Sequence, residues 1–410
     1  MRQILEETFF AALAATHPAK LVQKNLPHKA PNFILAIGKA ALTMLEAARE
    51  AYPEVPFLAV PPNGTDLQLE FGEIIFGSHP IPSLRSVKAA ERALEILENL
   101  TEFQHVLMLI SGGGSSIFCA PWGVTLEQKQ DLTRQLLQSG ADITEINTVR
   151  KNLSRVKGGR LAASTKASVT ALILSDVVGD DPSVIASGLT AANTSTFEQA
   201  LAILEKYNIK APEALAQLMS SVQGKIAQTA RDFGSRVQNI IIGSNVMLLN
   251  AAKSHLESQN IQSLILSDQF TGETRDLAGF HAAMIKSIRQ HQQPVSAPIM
   301  LISGGEATVT VRGNGFGGRN QEFMLWLLQN LGETGVHALS AGSDGIDGNS
   351  LAAGAFLSPD SHTRARAQHL EIQRYLANND SATFFSKLED SFITGATGHN
   401  LNDIRLIFVE

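Results

Sequence analysis

The chain has 410 residues, 44% of them apolar and 18% charged, and its 33 Lys plus Arg against 39 Asp plus Glu leave a net charge of −6. At roughly 100–200 residues per domain this length suits two large domains, and the acidic balance excludes a global field for nucleic acid or an anionic membrane, so any anion site is built locally. A single cysteine, Cys119, excludes an intramolecular disulfide framework or a cysteine metal cluster and fits a reducing compartment.

At the N-terminus, Glu6 and Glu7 precede the apolar stretch Phe9–Ala15 where a secretory leader carries positive charge. That stretch reads as an amphipathic helix. No apolar run reaches the roughly 18 residues of a membrane span, so a cytoplasmic, water-soluble protein is expected. Short, wholly apolar runs then recur, each closing on small or polar residues. Phe33–Gly38 runs into Lys39 and an Ala-rich helix, Ala40–Arg49. Between this and the next run, Val87, Ala90, Leu94 and Leu97 line one face of a helix. Val106–Ser111 runs into Gly112–Ser116, Val169–Ser175 into Asp176–Asp181, and Ile240–Ile242 into Gly243–Asn245. Pro298–Ser303 runs into Gly304–Glu306, Glu306–Arg312 reads as a further strand, and His337–Ala341 runs into Gly342–Gly348. Runs that do not alternate suit strands covered on both faces, as in a parallel sheet. Strands alternating with helices predict a doubly wound α/β architecture, with ligands beyond the carboxyl ends of the strands. A domain boundary is expected near Gln223–Arg236, giving domains 1–230 and 231–410. Two strings recur, LISGG at Leu109–Gly113 and Leu301–Gly305, and LILSD at Leu172–Asp176 and Leu264–Asp268. Their order is reversed between the halves, which argues for reuse of one loop chemistry rather than tandem duplication.

Three groups of residues carry possible chemistry. Ser111, Gly112, Gly113, Gly114, Ser115 and Ser116 form a Gly-rich loop after a strand, where backbone N–H groups and a helix start favour phosphate. No Lys-Ser/Thr pair follows at Walker A spacing. Lys39 and Arg319 each sit where a helix begins, so each opposes the helix dipole by about 0.3–1 kcal/mol if exposed. A bound anion would offset that. Gly313, Gly315 and Gly318 match G-x-G-x-x-G, and Asp344 follows at about the distance of a ribose carboxylate. This is the argument for a nicotinamide enzyme, although the arginine after the third glycine suits a phosphate or carboxylate better. Asp176, Asp180 and Asp181 follow one strand, Asp344 and Asp347 another. Such loops suit Mg²⁺ held by one or two carboxylates plus phosphate or a general base, while Asp181, before Pro182, reads as a turn residue. Val149–Arg160 carries Arg150, Lys151, Arg155, Lys157 and Arg160 without an acid. If helical, Arg150, Ser154 and Lys157 share a face for phosphate, and Lys151 and Arg155 read as solvated. His79, in a GSHPIP turn, is a substrate contact or a structural turn residue. Zinc HExxH and nucleophile-elbow spacings are absent.

Taken together, AIGKAA (Ala36–Ala41), SGGGSS (Ser111–Ser116), VRKNLSRVKGGRLA (Val149–Ala162), SDVVGDDPSVIASG (Ser175–Gly188), GGEATVTVRGNGFGGRNQE (Gly304–Glu322), AGSDGIDG (Ala341–Gly348) and TGATGHNLNDIR (Thr394–Arg405) resemble the class II glycerate kinases. The family is also labelled MOFRL and, in some members, provisionally hydroxypyruvate reductase. The resemblance implies a Rossmann-like, mostly parallel α/β domain over 1–230, a smaller MOFRL-type α/β domain over 231–410, and a cleft between them. It implies transfer of the γ-phosphoryl group of ATP, with Mg²⁺, to the 2-hydroxyl of D-glycerate, with reduction of hydroxypyruvate by NAD(P)H as the alternative. By motif the family's lysine falls on Lys39 and its arginine on Arg319. On that reading Asp176 is the general base, and Asp176 and Asp344 are the metal candidates. Ser111–Ser116, Lys157, His79 and Asn320 are then the substrate and nucleotide contacts. The partners expected are D-glycerate and ATP, with no nucleic acid or membrane and a homodimer left open. Leu189 replaces a frequent proline, and GATGHN replaces GPTGTN.

Overall fold

The structure, a computed structural model, describes residues 1–212 and 233–410. Most of the expected boundary segment Gln223–Arg236 therefore lies outside the described residues. The chain divides into two compact units: Pro18–Ser175 with Asp180–Ile242, and Met1–His17 with Asp176–Gly179 and Gly243–Glu410. The first of these is called here the central unit and the second the terminal unit. Both are α/β.

The central unit carries strands β1 (Phe33–Ile37), β2 (Phe57–Val60), β3 (Leu67–Leu69), β4 (Gly72–Ile74), β5 (His105–Ile110), β6 (Ser168–Leu174) and β7 (Val237–Gly243). Their order in the sheet is β3-β4-β2-β1-β5-β6-β7. β4, β2, β1, β5 and β6 run parallel, and β3 is antiparallel to β4. Every residue of β1, β2 and β5 is buried, as strands covered on both faces require. Leu107 and Leu109 join Ile34 and Ala36 in a core with Met44 and Leu45 of helix Ala41–Ala51. Winding starts at β1, moves out to β2, and returns to the other side at β5. The switch point of the doubly wound sheet is therefore between β1 and β5.

The terminal unit carries β8 (Ser263–Glu273), β9 (Ile299–Thr308), β10 (His337–Gly342), β11 (Gly354–Leu357), β12 (Ser391–Phe392) and β13 (Asp403–Val409), in the order β12-β11-β10-β13-β9-β8. Here only β8 and β9 pair in parallel, and the other neighbours are antiparallel. The apolar runs are strands as expected, but their continuous burial does not imply parallel pairing in this sheet. It arises because helices cover both faces. Met300 and Ile302 pack with helix Asn245–Ser258, while Leu301 packs with helices Thr274–His291 and Arg319–Leu331. Ser303–Gly305 and Leu264–Asp268 lie inside β9 and β8, so the repeated strings end strands only in the central unit. Of the separate strand expected over Glu306–Arg312, only 306–308 is strand, as the end of β9, and 309–312 is irregular.

Helix Arg2–Ala15 belongs to the terminal unit, so the cut expected between 230 and 231 is replaced by one at Ile242 plus an N-terminal crossing. The reason is packing. Leu5, Phe9, Ala12 and Leu13 bury against the Asn245–Ser258 helix and Phe392. Periodicity shows that a helix has an apolar face, not which core receives it. Among the described residues no helix is long and apolar enough to cross a membrane.

Candidate active site

Lys39 lies immediately past the carboxyl end of β1, and Gly112–Ser116 immediately past β5, so both occupy the switch point. Their backbones are tied together: Lys39 N–H donates to the Gly112 carbonyl at 2.9 Å, and Ala40 N–H to Ser111 Oγ at 3.0 Å. Gly38 has φ +115°, and a Cβ there would stand 2.4 Å from the Ser111 carbonyl oxygen. Only glycine permits that approach. Beyond it, a Cβ on Gly113 would lie 3.2 Å from His79 and 3.3 Å from the Lys39 side chain, so Lys39, His79 and Gly113 meet. Burial and then the Lys39 charge push the His79 imidazole pKa down, favouring the neutral ring. Among the described residues the N–H groups of Gly112, Gly113, Gly114 and Ser115 donate to no protein acceptor. Helix Ala41–Ala51 starts without a side-chain cap. Unclaimed donors, an uncapped helix start and an exposed lysine together have the chemistry that suits an anion.

The loop rests on a strained support. Ala186, Ser187 and Gly188 have φ of 50°, 59° and 69°, and each non-glycine residue so placed costs about 1–2 kcal/mol. The payoff is contact: Ser187 Oγ lies 2.7 Å from Ser115 Oγ, and a Cβ on Gly114 would stand 2.8 Å from that of Ala186. Sequence reading missed Ser187. The turn before Gly188 in SVIASG is its only local signal.

In the terminal unit, Arg319 opens helix Arg319–Leu331. Its Nε donates to both oxygens of Asp403, at 3.0 and 2.8 Å, and its Nη1 to Glu306 Oε1 at 2.8 Å. Burial opposes the guanidinium charge, but these two carboxylates hold its pKa above the usual value. The helix N-terminus is itself capped: Asp347 accepts from Asn320 N–H at 2.9 Å and Gln321 N–H at 2.8 Å. Burial pushes the Asp347 carboxyl up to about 7 in spite of those two bonds. The dipole conflict at Arg319 is thus offset by the protein's own carboxylates. Glu306 and Asp403 were not singled out from sequence. Asp403 is the acid that opens a buried strand, in NDIR, a position where a carboxylate needs a partner.

The aspartates proposed for metal both lie against the Thr394–Asn400 loop. Asn400 Nδ2 donates to Asp176 Oδ2 at 3.0 Å, and Thr397 N–H donates to the Asp344 carbonyl at 3.2 Å. Both side chains are half-buried. Asp181 accepts from Ser183 N–H and Oγ, the turn role expected of it.

Several sequence expectations need correction. Asn320 is buried with its amide spent on Asp403 and Asp347 and its carbonyl on Ser340, so it braces Arg319 instead of binding substrate. The basic segment does not form one helical face, because helix Ile143–Asn152 ends before Ser154 and Lys157. Lys157 is fully buried, its Nζ 3.4 Å from the Phe118 carbonyl oxygen, and burial drives its pKa well down. It has no surface to offer a ligand. Ser111 and Ser116 spend their hydroxyls on the backbone of Ile37 and Gly113, leaving Ser115 as the half-exposed hydroxyl. The dinucleotide fingerprint also fails. Each N–H from Gly313 to Gly317 is claimed by Asn378, Asn379, Asp380 or Asn349, and a Cβ on Gly313 or Gly315 would strike that same 378–380 segment. These glycines serve close packing, not a pyrophosphate.

Comparison with known proteins also divides the chain in two, although the first match includes the N-terminal helix. Residues 4–220 match the family model described as a domain of unknown function, DUF4147, and residues 299–403 match the MOFRL family. The D-glycerate 2-kinase of Thermotoga maritima is 39% identical over 412 residues, covering 98% of this chain and 97% of its own. The chain belongs to the class II glycerate kinase family. A crystal structure of the glycerate kinase of Thermotoga maritima superimposes with a TM-score of 0.91 at 37% identity, covering 100% of this chain and 99% of that one. An Agrobacterium vitis relative, 39% identical over 100% of this chain and 94% of its own, carries a provisional hydroxypyruvate reductase name. Within the glycerate kinase family, the claimed N–H groups of Gly313–Gly317 speak against a nicotinamide site at that loop.

Proposed function

We propose that this protein is a glycerate 2-kinase, transferring the γ-phosphoryl group of ATP to the 2-hydroxyl of D-glycerate to give 2-phosphoglycerate. The observation that carries the reading is the row of unclaimed N–H groups at Gly112–Ser115 beside Lys39, at the switch point of the central sheet. These groups and Ser115 hold the nucleotide phosphates, and Lys39 stabilises charge on the group in transfer. Neutral His79 supplies a hydrogen bond and no second charge. Arg319 receives an oxyanion, and Asp176 accepts the proton of the attacking hydroxyl. Phosphoryl transfer requires chiefly positioning and charge stabilisation, so no covalent nucleophile is needed.

Magnesium fits the donor set. Asp176 and Asp344 both lie against one loop, Asp176 through its carboxylate and Asp344 through its backbone carbonyl, and Mg²⁺ is commonly held by one or two carboxylates with substrate phosphates. Those two residues would hold it. Held there, magnesium would supply positive charge to offset that of the transferring phosphate. A reducing compartment such as the cytoplasm suits the single buried thiol, Cys119.

The test is incubation with ATP, Mg²⁺ and D-glycerate, following ADP release and resolving the product by phosphorus NMR. The expected result is the 2-phosphate ester and no oxidation of NADH when hydroxypyruvate replaces glycerate. Hydroxypyruvate-dependent loss of NADH without ADP release would overturn the reading.

A further inference from the structure

Arg319 presents two different edges. Its Nε is committed to Asp403, whose side chain is 0% exposed and which also accepts from Asn320 Nδ2 at 2.9 Å and Arg405 Nη2 at 3.1 Å. That is the fixed edge, because withdrawing it would take one of two charged partners from a fully buried carboxylate. The outer edge differs. Nη1 makes one bond, to Glu306, whose side chain is 45% exposed at the end of β9. Nη2 donates to nothing among the described residues.

A carboxylate or phosphate grips a guanidinium best through two parallel N–H bonds. With Nε committed, the only fork left on Arg319 is Nη1 with Nη2, and Glu306 occupies half of it by a single, solvent-facing bond. We propose that Glu306 is a built-in competitor for the substrate oxyanion on Arg319, displaced when that oxyanion takes the Nη1–Nη2 edge. This rests on the reading that Arg319 receives such a group. The oxyanion is the glycerate carboxylate or the ATP γ-phosphate, which share the required chemistry. Glu306 thereby sets affinity and acts through Arg319, as a positioning residue.

Competition has a defined signature. A half-exposed ion pair is weak, so its occupancy raises the apparent KM by only about two- to five-fold. Glu306→Gln should lower KM by that factor, for D-glycerate if the carboxylate docks there and for ATP if the phosphate does. The effect falls on KM and not on kcat, because the Glu306 bond exists only in the free enzyme and is absent from both the bound complex and the transition state. Glu306→Asp keeps the charge but draws it back by one methylene, and it should lower the same KM. An effect confined to Glu306→Gln would mean long-range charge and would overturn the proposal. So would an unchanged or higher KM for both substrates in Glu306→Gln. Arg319→Ala separates the two levels. If it keeps wild-type kinetics, the role of Arg319 itself is lost. If it is inactive while Glu306→Gln leaves both KM values unaltered, only the competition fails.

Discussion

The molecule contains two glycine-rich loops that follow a strand and open a helix next to a cation, and they do opposite things. At Gly112–Ser115 the backbone N–H groups find no protein acceptor among the described residues, and the neighbouring helix Ala41–Ala51 has no side-chain cap. At Gly313–Gly317 every N–H is claimed by the 349 and 378–380 segments, and Asp347 caps the helix that follows. The first loop has oriented donors to give away. The second has spent them on its own fold, and its glycines exist because other backbone lies against them. Glycine content is therefore no guide to anion binding. The destination of the N–H groups is.

The largest expected effect tests the open loop directly. Lys39→Ala should cut kcat at least about 100-fold, the scale of losing one charge partner to a transition state, with the melting temperature unchanged because Lys39 is exposed. Arg319→Ala should match that loss but also lower the melting temperature, since Asp403 loses a partner. Equal melting for both variants would break the contrast between a ligand-facing cation and a fold-anchored one.

Next in size is a pair of glycine substitutions. A Cβ on Gly315 would stand 2.4 Å from Asp380 Cβ and 2.6 Å from the Asn378 carbonyl oxygen. Gly315→Ala should cost about 1–3 kcal/mol in denaturant unfolding, as overpacking does, with KM for ATP unmoved. Gly113, at φ +81° beside His79 and Lys39, should respond in the opposite way, with KM for ATP rising in Gly113→Ala. A reversed pattern would exchange the roles assigned to the two loops.

A further effect is a pH slope from the capped helix. The Asp347 carboxyl ionises near 3.8 when unfolded and at about 7 when folded, so the folded state holds the proton more tightly. Its contribution to stability is full below about pH 4, falls as pH rises to about 7, and is flat above. Asp347→Asn should flatten that part of a melting-temperature profile. An unaltered slope would show that Asp347 is ionised throughout and that its two N–H bonds outweigh burial.

Much of this was legible in the residues alone. The apolar runs at Phe33, Val106, Val169, Pro298 and His337 are strands, since an unbroken apolar stretch of that length has few other uses. The two cations at helix starts stood out because they oppose a dipole, and the motifs carried the family. Other features were not legible, because they depend on partners distant in sequence. Burial on both faces is the same for parallel and antiparallel neighbours, so β13 running between β9 and β10 left no mark on its composition. Leu5 and Phe9 required a core 240 residues away. Whether a glycine N–H is free, whether Arg319 is already paired, and whether Lys157 reaches solvent are questions about what else occupies the same space. Local chemistry determined which residues could act, and the tertiary packing decided which of them still had a hydrogen bond or a charge left to give.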